Sequence, residues 1–187
     1  YVDDTLVDKW ALYTIGQYCD EPVPSGVNAG EIEPRFTCNM YIQSREDAFK
    51  VVNDMASIFR GMLYWSSGSL TTIQDSPTDP SHIFTQANVI DGLFTYSGTS
   101  EKTRHTVALV TWNDMSDMCR QKVEYVQDDA AVLQYGIIEA EVVAVGCTSR
   151  GQAHRVGKWL LYTEKYESDL INFKTGLEGA TVRPGNI

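Results

Sequence analysis

Cys147 and His154 stand seven positions apart, and a thiol beside an imidazole is the minimal set for a cysteine nucleophile. Such a pair works only within hydrogen-bond reach and with a third group to orient the base. Here Cys147 is expected to end a strand, and His154 to lie on the solvent face of the helix that follows. No catalytic role is therefore assigned to either. The remaining histidines, His82 and His105, are scattered, and none has a ligand partner one helical turn away, so no metal site is expected. Cys19, Cys38, Cys119 and Cys147 lie about 20, 80 and 30 residues apart without a Cys-x-x-Cys pair. Each sits in an apolar stretch, which predicts buried free thiols formed in a reducing compartment.

Two acidic groups could do carboxylate chemistry: Asp128 with Asp129, and Asp114 with Asp117. Metal binding or glycoside hydrolysis would use such pairs, but the hydrolytic acid needs an apolar setting that raises its pKa. All four fall in polar stretches between strands, where aspartate is the expected turn former. The turn reading is preferred, and no catalytic, cofactor-binding or metal-binding residue is assigned.

Arg150, His154, Arg155 and Lys158 form a small basic face on an acidic chain. As a functional feature they are a possible interface, salt-bridged to an acidic neighbour or to a phosphate. The plainer alternative is a solvated helix face. On the same segment, Ala153 and Gly157 are spaced to let the helix approach a strand closely. Gly176-Leu177-Glu178-Gly179 lacks the lysine and the strand–loop–helix setting of a phosphate loop.

The elements that must position these residues fall into two groups. Asp3-Asp4-Thr5 predicts a helix start, with Leu6, Val7, Trp10, Ala11, Thr14 and Tyr18 at helical spacing and an end near Cys19, before Pro22 and Pro24. Arg35–Ile42 alternates like a strand. Ser44-Arg45-Glu46-Asp47 opens a second helix whose stripe is Ala48, Val51, Val52, Met55, Ala56 and Phe59, with Gly61 expected just past its end. Val52, Met55 and Phe59 are expected to be buried together against the strand bearing Phe36, Met40 or Ile42. A hairpin is predicted from Met62–Trp65 and Ser69–Gln74 around Ser66-Ser67-Gly68.

After the proline-containing stretch Asp75–Pro80 the period changes from 3.6 to 2. Val89–Ser97, Thr106–Trp112, Gln121–Val126, Ile137–Val145 and Leu170–Lys174 read as strands, rich in Val, Ile, Thr and Tyr. One helix is expected among them, near Ser149–Lys165, with Ala153, Val156, Gly157, Leu160 and Leu161 facing inward. The fold class expected is α+β. A small α/β layer unit over residues 1–74, two helices on a short sheet, is followed by a linker over 75–87. Residues 88–187 then form a β-rich, barrel-like unit with one inserted helix, cut short at its C-terminal end.

The bulk numbers fit that reading. A chain of 187 residues with 43% hydrophobic and 11% aromatic residues can bury a core. Its longest apolar runs, such as Val142–Val145 and Trp159–Tyr162, fall far short of the roughly 20 residues of a membrane span. Fifteen basic against twenty-five acidic side chains give a net charge of −10. Such a surface does not neutralise phosphates, so no specific nucleic-acid binding is expected. With Tyr as its first residue and a turn at Arg183–Ile187, the sequence reads as cut from a longer chain at both ends.

Several blocks resemble the host-specificity (J-type) proteins at the tail tip of lambda-like bacteriophages. The longest is Gly146-Cys147-Thr148-Ser149-Arg150-Gly151-Gln152-Ala153-His154-Arg155, continued by Trp159-Leu160. Ala11–Gly16, Tyr18-Cys19-Asp20 with Pro22-Val23-Pro24, Glu33–Asn39, Gln74–Pro77 and Trp112-Asn113-Asp114 are similar and keep their order. Met115 departs from the pattern, since similar proteins often carry proline after the Trp-x-Asp turn, and this puts the shape of that loop in question.

The resemblance implies a structural hub segment rather than an enzyme, with no cofactor. Hubs of this kind form trimers, close the end of the tail tube and gate the DNA channel. Implied partners are other copies of itself, tail-tip and tail-tube proteins, and a host outer-membrane receptor met by regions outside these residues. The implied location is the virion tail tip, after assembly in the bacterial host cytoplasm. Two other readings compete: a tail-associated cell-wall hydrolase, needing an acid in an apolar pocket, and a receptor- or glycan-binding module, needing exposed aromatics such as Tyr96, Tyr125 and Tyr135 to converge.

Overall fold

The computed structural model describes residues 3–43, 45–66, 68–98 and 104–186. They form a mixed α+β fold with four α-helices and four small sheets. In chain order the elements are α1 (Lys9–Asp20), β1 (Pro22–Pro24), β2 (Ile32–Pro34), α2 (Ala48–Ile58), β3 (Gly61–Ser66) and β4 (Ser69–Gln74). They continue with β5 (Val89–Gly98), β6 (Val107–Asp114), β7 (Arg120–Gln127), α3 (Asp129–Tyr135), β8 (Glu139–Val143), α4 (Arg150–Tyr166) and β9 (Asp169–Thr175).

The core is built around β6. This strand pairs antiparallel with β7, from Val107 opposite Gln127 to Asp114 opposite Arg120, and parallel with β8, from Val107 opposite Glu139 to Thr111 opposite Val143. Val107, Ala108, Val110 and Trp112 of this central strand are all buried. One face of the sheet, carrying Ala108, Val110, Trp112 and Val126, packs against Ala153, Val156, Leu160 and Leu161 of α4. Gly157 makes this contact possible: a Cβ there would stand 2.7 Å from Val126 Cγ2 and 3.1 Å from Val110 Cγ2. The predicted inner face of the helix is the observed one, and Ser149 caps it, accepting from the Gln152 N–H.

The first half is assembled on the β3–β4 hairpin, in register from Gly61 opposite Gln74 to Ser66 opposite Ser69, with α2 against β3 and α1 against β4. Asp8 caps α1 by accepting from the Ala11 N–H, a full turn later than predicted. Asp47 caps α2, and the left-handed position after that helix is Arg60 (φ 59°), with Gly61 already in β3 rather than ending the helix. Ser44, part of the predicted helix start, lies outside the described residues.

Other expectations are corrected. Arg35–Ile42 forms no strand and joins no ladder. Its backbone is satisfied piecemeal, with the Thr37 N–H donating to Gln152 Oε1 and the Asn39 N–H to the Gly146 carbonyl. Lacking a strand to cover it, the α2 stripe stays half open: Ala56 is buried, but Val52 and Met55 are 37% and 44% exposed. No closed barrel forms among the described residues. The second half has a three-stranded sheet and the separate two-stranded ribbon β5–β9, both open. It also holds two helices rather than one. The unpredicted α3 starts at Asp128, which accepts from the Ala130 and Ala131 N–H groups, and ends at Gly136 (φ 81°). The cysteines are free, but Cys147 alone among them is fully buried; Cys38 and Cys119 are exposed.

Candidate functional site

The basic residues of α4 point in three directions, because helical positions 100° apart cannot share one face. Arg155 turns away from the sheet, toward the β1–β2 hairpin, in which Pro22 lies opposite Pro34 and Pro24 opposite Ile32. Its Nη1 donates to Glu33 of β2, and its Nη2 donates to the Arg35 carbonyl at 2.9 Å and the Pro34 carbonyl at 3.3 Å. Glu33 also accepts from the Ser149 hydroxyl, so one carboxylate ties the helix cap and the arginine together. Gly151 admits the hairpin: a Cβ on it would meet Ser25 at 2.8 Å. Beside it, Gln152 is buried and holds Thr37 through both ends of its amide.

Arg150 and His154 lie one turn apart and share Glu124 of β7. Arg150 Nε donates to Glu124 Oε2 at 2.7 Å, and His154 Nδ1 is 3.2 Å from Oε1. Glu124 is buried, Arg150 is exposed and His154 is largely enclosed. Lys158 is exposed beside Asp128, Asp129 and Tyr162. His154 and Arg155 therefore do not belong to a solvent-facing row. They grip acids of the same chain, contributed by residues 30 and 122 positions away. Arg150 and Lys158 remain on the outside.

The residues weighed for catalysis are held in structural roles. Cys147 Sγ donates to the Ser149 carbonyl at 3.2 Å, and burial raises its pKa to about 11, so the thiol stays protonated. Its candidate partner His154 faces Glu124 instead. Asp114 accepts from Lys122 Nζ at 2.6 Å and from the Ser116 hydroxyl and N–H; these bonds, the Lys122 bond first, lower its pKa to about 2. Asp128 accepts from Lys165 Nζ at 2.6 Å and caps α3, and its pKa is lowered, mainly by that lysine. These acids are turn and cap formers. Tyr96, Tyr125 and Tyr135 stand on β5, β7 and α3, three separate elements.

One feature escaped the sequence reading. The second face of the β7–β6–β8 sheet carries Leu109, Thr111, Val123, Tyr125 and Val143 beside Gln127, Glu139 and Glu141, with Val123 opposite Thr111 and Thr111 opposite Val143. Val123 and Val143 are 59% and 65% exposed there. Strict alternation hints at a second apolar face, but alternation cannot say whether that face is covered.

Comparison with known proteins identifies the setting of these surfaces. A family model described as "Putative phage tail protein" matches residues 47–187. The chain belongs to this phage tail family. Two curated relatives agree over nearly all of it. The chain is 44% identical over 181 residues to the tip attachment protein J of Escherichia phage SECphi27, and 36% identical over 183 residues to that of Escherichia phage SECphi4. Each alignment takes in 97% of the chain but only 15% and 16% of the relatives' length. The phage tail chain described here therefore corresponds to a small segment of these tip attachment proteins. The α4 block, from the Ser149 cap through Arg155, lies inside the matched family region.

Proposed function

We propose that this chain is a structural segment of a phage tail tip: a hub piece of a J-type host-specificity protein, located in the virion tail and without enzymatic activity. The observation that carries this reading is the 44% and 36% identity to tip attachment proteins across 97% of the chain. In the whole protein, three copies close into a cap on the tail tube. That cap joins the tube to receptor-binding parts outside these residues, associates with neighbouring tail proteins and gates DNA passage. Assembly takes place in the host cytoplasm. Residues 1–74 and 88–187 act as two units on either side of the 75–87 linker, braced against each other through α4.

The physical features support a rigid assembly part. The groups weighed for chemistry are engaged instead in caps, ion pairs or burial: Asp114 with Lys122, Asp128 with Lys165, His154 with Glu124, and Cys147 in the core. The second sheet face, with Val123, Tyr125 and Val143 exposed beside Glu139 and Glu141, offers a mixed apolar and acidic surface for a neighbour. A net charge of −10 suits a lining that repels rather than grips DNA.

Sedimentation of the full-length polypeptide tests the assembly, with a trimer expected and a stable dimer overturning the three-fold hub. The 187-residue chain alone is expected to be monomeric at micromolar concentration. It should not turn over peptidoglycan or ester and peptide reporters. Turnover abolished by Cys147→Ala or Asp128→Ala would overturn the non-enzymatic reading.

A further inference from the structure

A cleft of about 560 Å³ opens where the β3–β4 hairpin, the segment after β4, Trp159 of α4 and the C-terminal stretch near Gly185 meet. Its walls are mainly apolar, contributed by Met62, Ile73 and the Trp159 ring, and Met62 is exposed at the rim. One cation lines it. Arg60 lies against two rings, its Cζ 5.3 Å from the centre of Phe36 and 5.0 Å from that of Trp159. Its backbone is left-handed, at φ 59°, an uncommon state for a long side chain.

The guanidinium is poorly satisfied. Nη2 reaches the Arg155 carbonyl only at 3.5 Å, and Nε is buried without a hydrogen-bond partner. Arg35 and Arg155 nearby are paired with Glu21 and Glu33, whereas Arg60 has no carboxylate within 4 Å among the described residues. Asp75, on the cleft wall, lies close enough to act on Arg60 through its charge, but it accepts from the Trp159 indole N–H at 2.9 Å and makes no ion pair with the guanidinium. A partly buried guanidinium without an ion pair, beside apolar walls, is complementary to an anionic group carried next to an apolar one, which on a polypeptide is a carboxylate. Two cation–π contacts help to hold the guanidinium in place but leave Nε without an acceptor.

We infer that this cleft is a docking site for a peptide segment of a neighbouring tail polypeptide, in which an apolar side chain fills the pocket and an adjacent Asp or Glu pairs with Arg60. The tail reading enters only in naming the source of the segment; the chemistry stands on the cleft itself. Burial lowers the Arg60 pKa, yet arginine keeps its charge at any ordinary pH, so the site is a permanent cation.

The test is titration of the 187-residue chain with acetyl-Phe-Glu-amide and its neutral counterpart acetyl-Phe-Gln-amide. It is followed by ¹H–¹⁵N NMR at the Trp159 indole and Arg60 Nε–H signals. The acidic peptide should shift both signals saturably, with a dissociation constant at least about five-fold below that of the neutral peptide, and the difference should shrink with salt. Arg60→Gln should remove the preference for the acidic peptide. Met62→Asp, an exposed rim change that leaves Arg60 in place, should weaken both peptides. Equal affinities, or no saturable shift in the folded wild-type chain, would overturn the cleft assignment while leaving membership of the tail assembly untouched. Failure to trimerise at full length would do the reverse.

Discussion

Arg155 and Glu33, 122 residues apart in the chain, form an ion pair in which both side chains are more than four-fifths enclosed, at 18% and 19% exposure. A pair this enclosed is sensitive to loss of one partner, because the survivor is left as an uncompensated charge.

Arg155→Ala should therefore destabilise the chain by about 2–3 kcal/mol, somewhat less than for a fully buried pair. Glu33→Gln should cost less, since the amide still accepts from Ser149. Urea titration of both single variants and the double variant should give a coupling above about 1 kcal/mol; additive losses would mean that the pair contributes nothing of its own.

Gly157 and Gly16 should respond to alanine with opposite signs. Gly157→Ala gains about 1 kcal/mol of helix propensity but forces a methyl within 2.7 Å of Val126, an overpacking cost of about 1–3 kcal/mol. A net loss is expected. Gly16 sits in α1 with nothing within 4 Å of an added Cβ, so Gly16→Ala should stabilise by about 0.5–1 kcal/mol. Denaturant midpoints of the two variants provide the comparison.

Acid should unfold the chain in part through Asp114 and Asp128. The folded-state pKa of each lies below the ordinary 3.8, so their contribution is full above about pH 4. For Asp114 it is lost as the pH falls toward about 2, where the carboxyl takes its proton and releases Lys122. A carboxyl ¹³C titration of Asp114 should show a midpoint near 2, and Asp114→Asn should flatten stability against pH between about 4 and 2. A midpoint near 4 would mean the Lys122 bond does not form in solution.

The thiols should separate by access. At pH 8, iodoacetamide should label exposed Cys119 in the folded chain, while Cys147, buried and with its pKa raised to about 11, should react only after unfolding. Peptide mass mapping before and after denaturant checks this, and early labelling of Cys147 would contradict its enclosure.

How legible these features were depends on how local their causes are. β5, β6, β7 and β9 could be read from alternation, and α4 from its Ser149 cap and the Ala153–Gly157 spacing, because those signals lie within a few residues. α3 was missed although Asp128, Ala130-Ala131 and Gly136 carry start, propensity and stop, since seven residues are too few for a clear period. Arg35–Ile42 alternates like a strand but finds side-chain and loop partners instead of a ladder. Amphipathic reasoning sends Arg155 and His154 to solvent because it cannot see acids supplied by β2 and β7. Arg60 carries no local signal at all: its environment comes from Phe36, Asp75 and Trp159.

Helix α4 is gripped on opposite sides. Ala153 and Gly157 press on the sheet, and Gly151 and Arg155 hold the hairpin, about half a turn around the axis. In mechanical terms the helix is a strut between the β7–β6–β8 sheet and the β1–β2 pair, and the 75–87 segment runs beside it anchored at Asp75 and Phe84. A pull between those two elements loads the clamp in which Glu33 holds both Ser149 and Arg155, together with the Gln152–Thr37 bonds beside it. Tension across the joint would therefore be shared over the first two turns of one helix rather than fall on a single contact.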